Sequence, residues 1–539
     1  MNHANNKIGL QLGFLAGFSA FMVCIWMLPV LLAGFPFVLS GTVLDAKEFT
    51  QTGLVGGMMP MATLIMGALS PYVGWENAVG WSGLSAIAMA LSLFPLWWSV
   101  RSLFDVRTAW FTVVIFSFMP ITWIHAVRGG GYAFAFLFLF VAFALFIKLY
   151  STRRMLAICL AGVFYGFTLA SHHAFITFLP WLVVAYMWLN RADWKRAVLQ
   201  AVLFTGISYA ALMAPMFPNA MRSGMTLPER IGVFLPAPSE HTTGVGHLYP
   251  DYYAYEFLYD EFEEIISQRN AEAHFLTQQQ DKYVHWIFNV GDLNIFDGLQ
   301  NGVWLFANTI PELLVQEYLG GAFLWIFILI GIAYLYRTNR RILILFVGLW
   351  FSMEMILRFV LHYGRTHLMD IGWGFALLAA VGAVVLCDAY QKQVKISSFK
   401  ICSIILAFIL ALQLAQANRK LFAHKYSRST VPQSYAAAAL LNTLPEHAVV
   451  AHPRKAYLFY FTDTAHVPLH TETIDFLEER GRVREPLEHF SVTHIIGYNE
   501  QRTAAIKRAL PSIKVLTPSQ EDFSVPITPV IRYLLHSIR

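Results

Sequence analysis

Charge is what this sequence has least of. Asp, Glu, Lys and Arg make up 13% of 539 residues, against 57% hydrophobic and 15% aromatic. With a mean hydropathy of +0.53, the chain is too apolar to be an ordinary water-soluble globule. Cysteine is scarcer still. Cys24, Cys159, Cys387 and Cys402 all lie in or at the edge of apolar runs, which excludes a disulfide framework for the exposed parts. No internal repeat occurs, so nothing points to a transporter built of two halves. The formal charge of +5 gives no reason to invoke nucleic acid, because the excess sits in short connections between apolar runs.

What is present is a series of apolar runs. Crossing about 30 Å of hydrocarbon takes roughly 20 mostly apolar residues, and such runs fall at 9–34, 80–100, 108–126, 132–149, 155–171, 174–189, 198–218, 318–336, 342–360, 368–389 and 401–416. The predicted class is a polytopic α-helical membrane protein with about eleven transmembrane helices. Arg101 and Arg107, Arg153 and Arg154, Arg191 with Lys195 and Arg196, Arg337 with Arg340 and Arg341, and Lys392 with Lys395 and Lys400 fall in alternate connections. The positive-inside bias makes these cytoplasmic. The N-terminus is then cytoplasmic and the C-terminal tail extracytoplasmic, in a cytoplasmic (inner) membrane. The first run follows the short polar stretch Met1–Lys7 and reads as a retained anchor, lacking a clean signal-peptide cleavage site.

Three exposed regions follow. An outer first loop, 35–79, contains GLVGGMMPMATLIMGALSPY, whose glycines and Pro60 suit an interfacial or re-entrant element. A long outer loop, 219–317, is rich in Tyr, Trp, His and acids and exceeds the usual length of a connection. Its DYYAYEFLYDEFEEIISQRN reads as an amphipathic helix with an acidic face. The division expected is a membrane module over 1–417 and a soluble α/β domain over 418–539. In that tail, helices at Ser434–Leu444, TIDFLEERG and RTAAIKRAL alternate with strands at His447–His452 and Val492–Tyr498. It shows no glycine-rich phosphate loop.

The same parity assigns ionisable residues to the outer side, where charges at the ends of apolar spans line a cavity or pair with one another. Asp45 and Glu48 sit three apart and share a face on a helical turn. They supply either a proton-accepting carboxylate with a neighbour able to bind a divalent cation, or simply a helix cap at Asp45. Glu354, Arg358 and His362 step by four along one side of a span, with Arg365 just beyond its outer end, followed by His367 and Asp370. A Glu354–Arg358 ion pair and a phosphate-binding role are both open for the deeper pair, whereas His362 and Arg365 at the surface suit a ligand phosphate. Arg128 precedes three glycines, which either bring backbone amides to an anion or serve only a tight turn. His172 and His173 are adjacent, which suits a shared metal ion poorly because neighbouring side chains on a helix diverge by about 100°. One of them lines the cavity in this reading, and no metal site is assigned. His125 reads as a satisfied polar residue.

With these residues placed, the chain resembles GT-C superfamily glycosyltransferases, closest in layout to the protein O-mannosyltransferase and aminoarabinose-transferase type. The resemblance rests on DAKEFTQTG after the first span, on RTAWFTVVIFSFMPITWIHAVRGGGYAFAFLFLFVAFALF followed by STRRMLAICLAGVFYGFTLASHHAFITFLPWLV, on HYGRTHLMDIGWGFALLAA, and on LNTLPEHAVVAH with YLFYFTDTAHVPLH in the tail. Two departures stand out: the acids are not adjacent, and His172 and His173 stand where many relatives place a Lys. The resemblance implies inverting transfer of a sugar from a polyprenyl-phosphate-linked donor to a lipid, glycan or protein acceptor on the extracytoplasmic face. Asp45 would be the general base beside Glu48. Arg365, with Arg128, would stabilise the leaving phosphate, and His172, His173, Arg358 and His362 would complete the substrate site. No cofactor is assigned beyond the divalent cation that Glu48 is able to bind. Three other classes remain as alternatives, one of them a non-catalytic sensor whose tail binds a partner. An O-antigen ligase or polymerase would depend on the long loop rather than on Asp45, and a transporter would need ionisable residues near mid-membrane.

Overall fold

The computed structural model describes residues 2–33, 35, 43, 46, 50, 59–74, 77–216, 323–359, 368–394, 398–418, 431–453, 462, 464–469 and 471–516. They fall into two compact units, the second holding the described residues from 431 onward. The long loop 219–317 lies outside the described residues.

The first unit is helical: α1 (Asn2–Ala33), α2 (Pro60–Val73), α3 (Ala78–Leu103), α4 (Val106–Phe118), α5 (Pro120–Ala126), α6 (Gly131–Leu149), α7 (Arg154–Ser171), α8 (Leu179–Leu189), α9 (Trp194–Met213), α10 (Leu324–Thr338), α11 (Arg340–Phe359), α12 (Leu368–Val394) and α13 (Ser398–Asn418). Among the described residues six helices are long and apolar enough to cross a membrane, or seven if α4 and α5 form one broken span. The chain is a multi-pass membrane protein.

The span expected at 108–126 is broken, with α4 and α5 meeting at 67°. Pro120 brings no N–H to the helix and pushes the residue before it out of helical geometry; Met119 accordingly has ψ 132°. Carbonyls near the break find partners on other helices. Trp26 Nε1 donates to the Ser117 carbonyl at 3.0 Å and Gln413 Nε2 to the Ile115 carbonyl at 3.1 Å. The Ile115 carbonyl also keeps the Met119 N–H as a partner at 3.1 Å; for the Ser117 carbonyl, Trp26 does in hydrocarbon what water would do outside it.

Small residues bring the helices together. A Cβ on Gly166 of α7 would overlap the Ser208 carbonyl oxygen of α9, and one on Gly162 would press on Ile207. Gly331 of α10 and Gly382 of α12 meet in the same way, each against the other helix's backbone. Between apolar helices in lipid, close van der Waals approach of this kind supplies much of the association.

The second unit holds α14 (Val431–Leu441), β1 (Val449–His452), β2 (Ala465–Pro468), α15 (Thr471–Glu479), α16 (Arg484–His489), β3 (His494–Ile496), α17 (Glu500–Ala509) and β4 (Lys514–Leu516). Its four strands are all parallel, in the order β2-β1-β3-β4. Side chains alternate across a strand. Ala451 and Ile495 therefore join Ile474, Leu477, Leu487 and Ile506 on one face, while Val450 and Ile496 meet Ala437 and Leu441 of α14 on the other.

Candidate functional site

The helices of the first unit have a basic end and a second, less charged end. Arg101 closes α3, Lys148 closes α6, Arg337 closes α10, and Arg154 and Arg340 open α7 and α11. At the opposite end α5 finishes, α6 and α12 begin, and α7 stops. A buried polar cluster occupies that end.

Its scaffold is the turn between α5 and α6. Gly129 has φ +66°, which a side chain would strain. Gly130 is extended and starts α6 with no side-chain cap, leaving the first amides of the helix and its positive dipole end to an outside acceptor. Gly131 sits so close to α7 that a Cβ would overlap the Ser171 carbonyl oxygen. On α3, Ser82 Oγ donates to the Val127 carbonyl at 2.7 Å and Ser85 Oγ to the His125 carbonyl at 3.4 Å, fixing the turn from behind.

Tyr132 is the hub of the cluster. Its ring lies 3.7 Å from the His172 ring and 4.2 Å from the His125 ring, centroid to centroid. Arg128 and Asp370 are both close to its hydroxyl. Asp370 is fully buried in the first turn of α12, where the helix dipole favours a carboxylate. Arg128 is half-buried, and its Nε is sealed from solvent without a hydrogen bond among the described residues. A buried donor of this sort left unmade costs roughly 1–3 kcal/mol, more for a charged group. An anion at the turn would remove that cost.

His172 lies beyond the last turn of α7 in extended backbone, φ −157° and ψ 106°, and His173 opens a 3-10 turn, His173–Phe178. The angle expected between neighbours on one helix therefore does not apply to them. His172 is buried against Tyr132 and Phe175; the His173 side chain lies outside the described residues. Arg358 is part of α11, but its side chain and that of Glu354 also lie outside them, as do Asp45, Glu48, His362, Arg365 and His367. Of the residues singled out from sequence, the structure thus brings Arg128, His125, His172 and Asp370 together around Tyr132. It adds Tyr132, which had no distinguishing signal inside an aromatic-rich run. Asp370, an acid opening an apolar run, did carry one. Among the described residues no group of three or more His, Cys, Asp or Glu is placed to hold a metal ion.

No protein-family model and no curated protein sequence matches the chain. Among solved structures, ArnT from Cupriavidus metallidurans bound to undecaprenyl phosphate is similar at a TM-score of 0.50 and 11% identity, over 93% of this chain and 90% of that one. AglB from Archaeoglobus fulgidus, in complex with an inhibitory peptide and a dolichol-phosphate, gives 0.46 and 12%, over 89% and 69%. The oligosaccharyltransferase of A. fulgidus with zinc and sulfate gives 0.44 and 14%, over 86% of this chain and 54% of that one, so the chain spans about half the length of that enzyme. A likeness of this extent at 11% identity shows that the chain shares the fold of ArnT.

Proposed function

We propose that the protein is an integral-membrane glycosyltransferase that moves a sugar from a polyprenyl-phosphate-linked donor to an acceptor on the extracytoplasmic face. The observation that carries this reading is the Arg128 guanidinium, its buried Nε unpartnered among the described residues, at the uncapped start of α6. That is chemistry for a phosphate held at a helix N-terminus. The fold shared with ArnT, whose structure contains undecaprenyl phosphate, supports the donor class.

In the reaction, the Asp45 carboxylate takes the acceptor hydroxyl proton as the oxygen attacks the anomeric carbon. The bond from that carbon to the phosphate oxygen breaks, the polyprenyl phosphate leaves, and the configuration inverts. Arg128 and Arg365 stabilise the charge gathering on the leaving phosphate. Glu48 tunes Asp45 or binds a divalent cation, and His172, His173, Arg358 and His362 line the substrate cavity.

The topology belongs to the same proposal: eleven spans in the inner membrane, a cytoplasmic N-terminus, a membrane module over 1–417 and an extracytoplasmic α/β domain over 418–539. The cluster around Tyr132 then faces outward, opposite the basic helix ends. The acceptor is a lipid, glycan or protein.

The test is direct. Purified protein is titrated with undecaprenyl phosphate in detergent, and its endogenous lipids are extracted and identified by mass spectrometry. Saturable binding that Arg128→Gln weakens at least tenfold supports the proposal. Equal affinity of the variant, or no polyprenyl phosphate binding at all, removes it.

A further inference from the structure

Toward the basic helix ends, the first unit encloses a separate cavity of about 320 Å³. It lies where α11 packs on α8 and on the 3-10 turn before it but meets α12 through large aromatic side chains, Phe346 against Trp373 and Trp350 against Phe375, which hold the two backbones apart. Leu96, Phe143, Phe204 and Leu345 typify its apolar walls. Such a void stays dry for lack of polar partners, and empty it forfeits the dispersion contacts of its lining. In a bilayer the filler at hand is an acyl chain.

Its polar groups gather where α7 and α9 begin. Tyr186 and Gln200 line the cavity, and Tyr186 Oη donates to Gln200 Oε1 at 2.5 Å. Arg154 donates to Tyr186 Oη from Nε at 3.2 Å and from Nη2 at 2.8 Å, and to Asn190 Oδ1 at 2.8 Å. Its guanidinium also stands 4.9 Å above the Tyr150 ring. A half-buried arginine is thus locked at the rim of an apolar cavity, and Arg153, Arg191, Lys195 and Arg196 are exposed at the same helix ends.

We propose that this cavity holds an acyl chain of an anionic glycerophospholipid, taken from the leaflet that meets the basic helix ends, with the headgroup phosphate on Arg154. The apolar walls select a chain over water, and the locked Arg154 cation selects an anionic headgroup over a zwitterionic one. The site is distinct from the cluster around Tyr132 and does not rest on the glycosyltransferase reading.

Full-length protein purified in mild detergent is analysed by native mass spectrometry and lipid extraction, then delipidated and melted with added phosphatidylglycerol or phosphatidylethanolamine. About one phosphatidylglycerol per chain is expected to be retained, enriched about fivefold over phosphatidylethanolamine, the ratio that one cation near the surface supplies, and to raise the melting midpoint more. Arg154→Gln, which preserves a donor to Tyr186 and leaves the cavity open, should bring the two lipids to parity. Ala201→Trp, which fills the cavity, should abolish retention. If that variant does not fold, Arg154→Gln decides alone. Equal retention of both lipids by the unaltered protein, no retained lipid, or retention of a polyprenyl phosphate in that place overturns the proposal.

Discussion

Tyr132 stacks on His172 with their rings 3.7 Å apart and 29° from parallel, so the first turn of α6 and the end of α7 are joined by one aromatic contact inside the candidate site. Packing and chemistry are combined at His172 and can be separated. His172→Phe keeps the stacking surface and removes the nitrogens, so the melting midpoint should stay within a few degrees while sugar transfer falls. His172→Ala should lower both, since a buried aromatic truncated to alanine costs roughly 3–5 kcal/mol. Equal activity in the Phe variant would make the residue purely structural.

Arg128→Gln is expected to reduce transfer by about 10²–10³, the usual effect of removing one preorganised donor from developing negative charge. Stability should hold, because Arg128 Nε makes no hydrogen bond among the described residues. Arg128→Lys should recover only part of the rate, as a point charge replaces a planar fork. The measurement is transfer from a polyprenyl-phosphate sugar in detergent, with the variant's melting midpoint as control.

Asp45→Asn should lower the rate by about 10²–10⁴ if the carboxylate is the general base. Donor binding should change little. Full activity would favour an O-antigen ligase type of chemistry centred on the long loop. A cysteine placed at position 45 should also react with an impermeant maleimide from outside the cell, while one at position 153 should not.

Gly131→Ala puts a methyl group onto the Ser171 carbonyl oxygen and the Met59 sulfur. Backbone cannot move aside as a flexible side chain can, so a cost of about 1–3 kcal/mol is expected. Gly17→Ala in α1, where a Cβ meets nothing within 4 Å, is the matched control and should be neutral. Thermal melts of the two variants compare them.

In the second unit, His494 is nearly buried at the start of β3, with Nδ1 2.8 Å from Thr493 Oγ1. Burial, and secondarily the charge of Lys514, hold its pKa below the ordinary 6.5. The unfolded chain therefore takes up this proton at higher pH than the folded one, so stability from this group is present above about pH 6.5 and is lost as pH falls toward the folded value. Hydrogen-exchange protection of β3, corrected for intrinsic rates, should drop between pH 7.5 and 5.5, and His494→Gln should flatten the change. An unaltered pH dependence in that variant would assign the effect to another group.

The legibility of the sequence varied with the range of the interaction. Apolar runs were readable because transfer into hydrocarbon is close to a sum over neighbouring residues; helices occur at Ala78–Leu103, Gly131–Leu149 and Leu368–Val394 where runs at 80–100, 132–149 and 368–389 were expected. The break at Pro120 lies inside one such run, and composition does not reveal that Trp26 stands ready to take the Ser117 carbonyl beside it. Central strands β1 and β3 were visible through Val449–Ala451 and Ile495–Ile496. Edge strands β2 and β4 were not, for at the same length they are partly exposed and bury too little to show a pattern.

By itself, then, the sequence determined a chain that lives in a bilayer with its cations gathered at alternate connections, since hydropathy and charge act residue by residue. Only the tertiary structure decided that Arg128, Tyr132, His172 and Asp370 share one buried site. Their meeting depends on how closely α6 approaches the end of α7, which is set by long-range packing of Gly131 on Ser171, and on the 67° turn at Pro120.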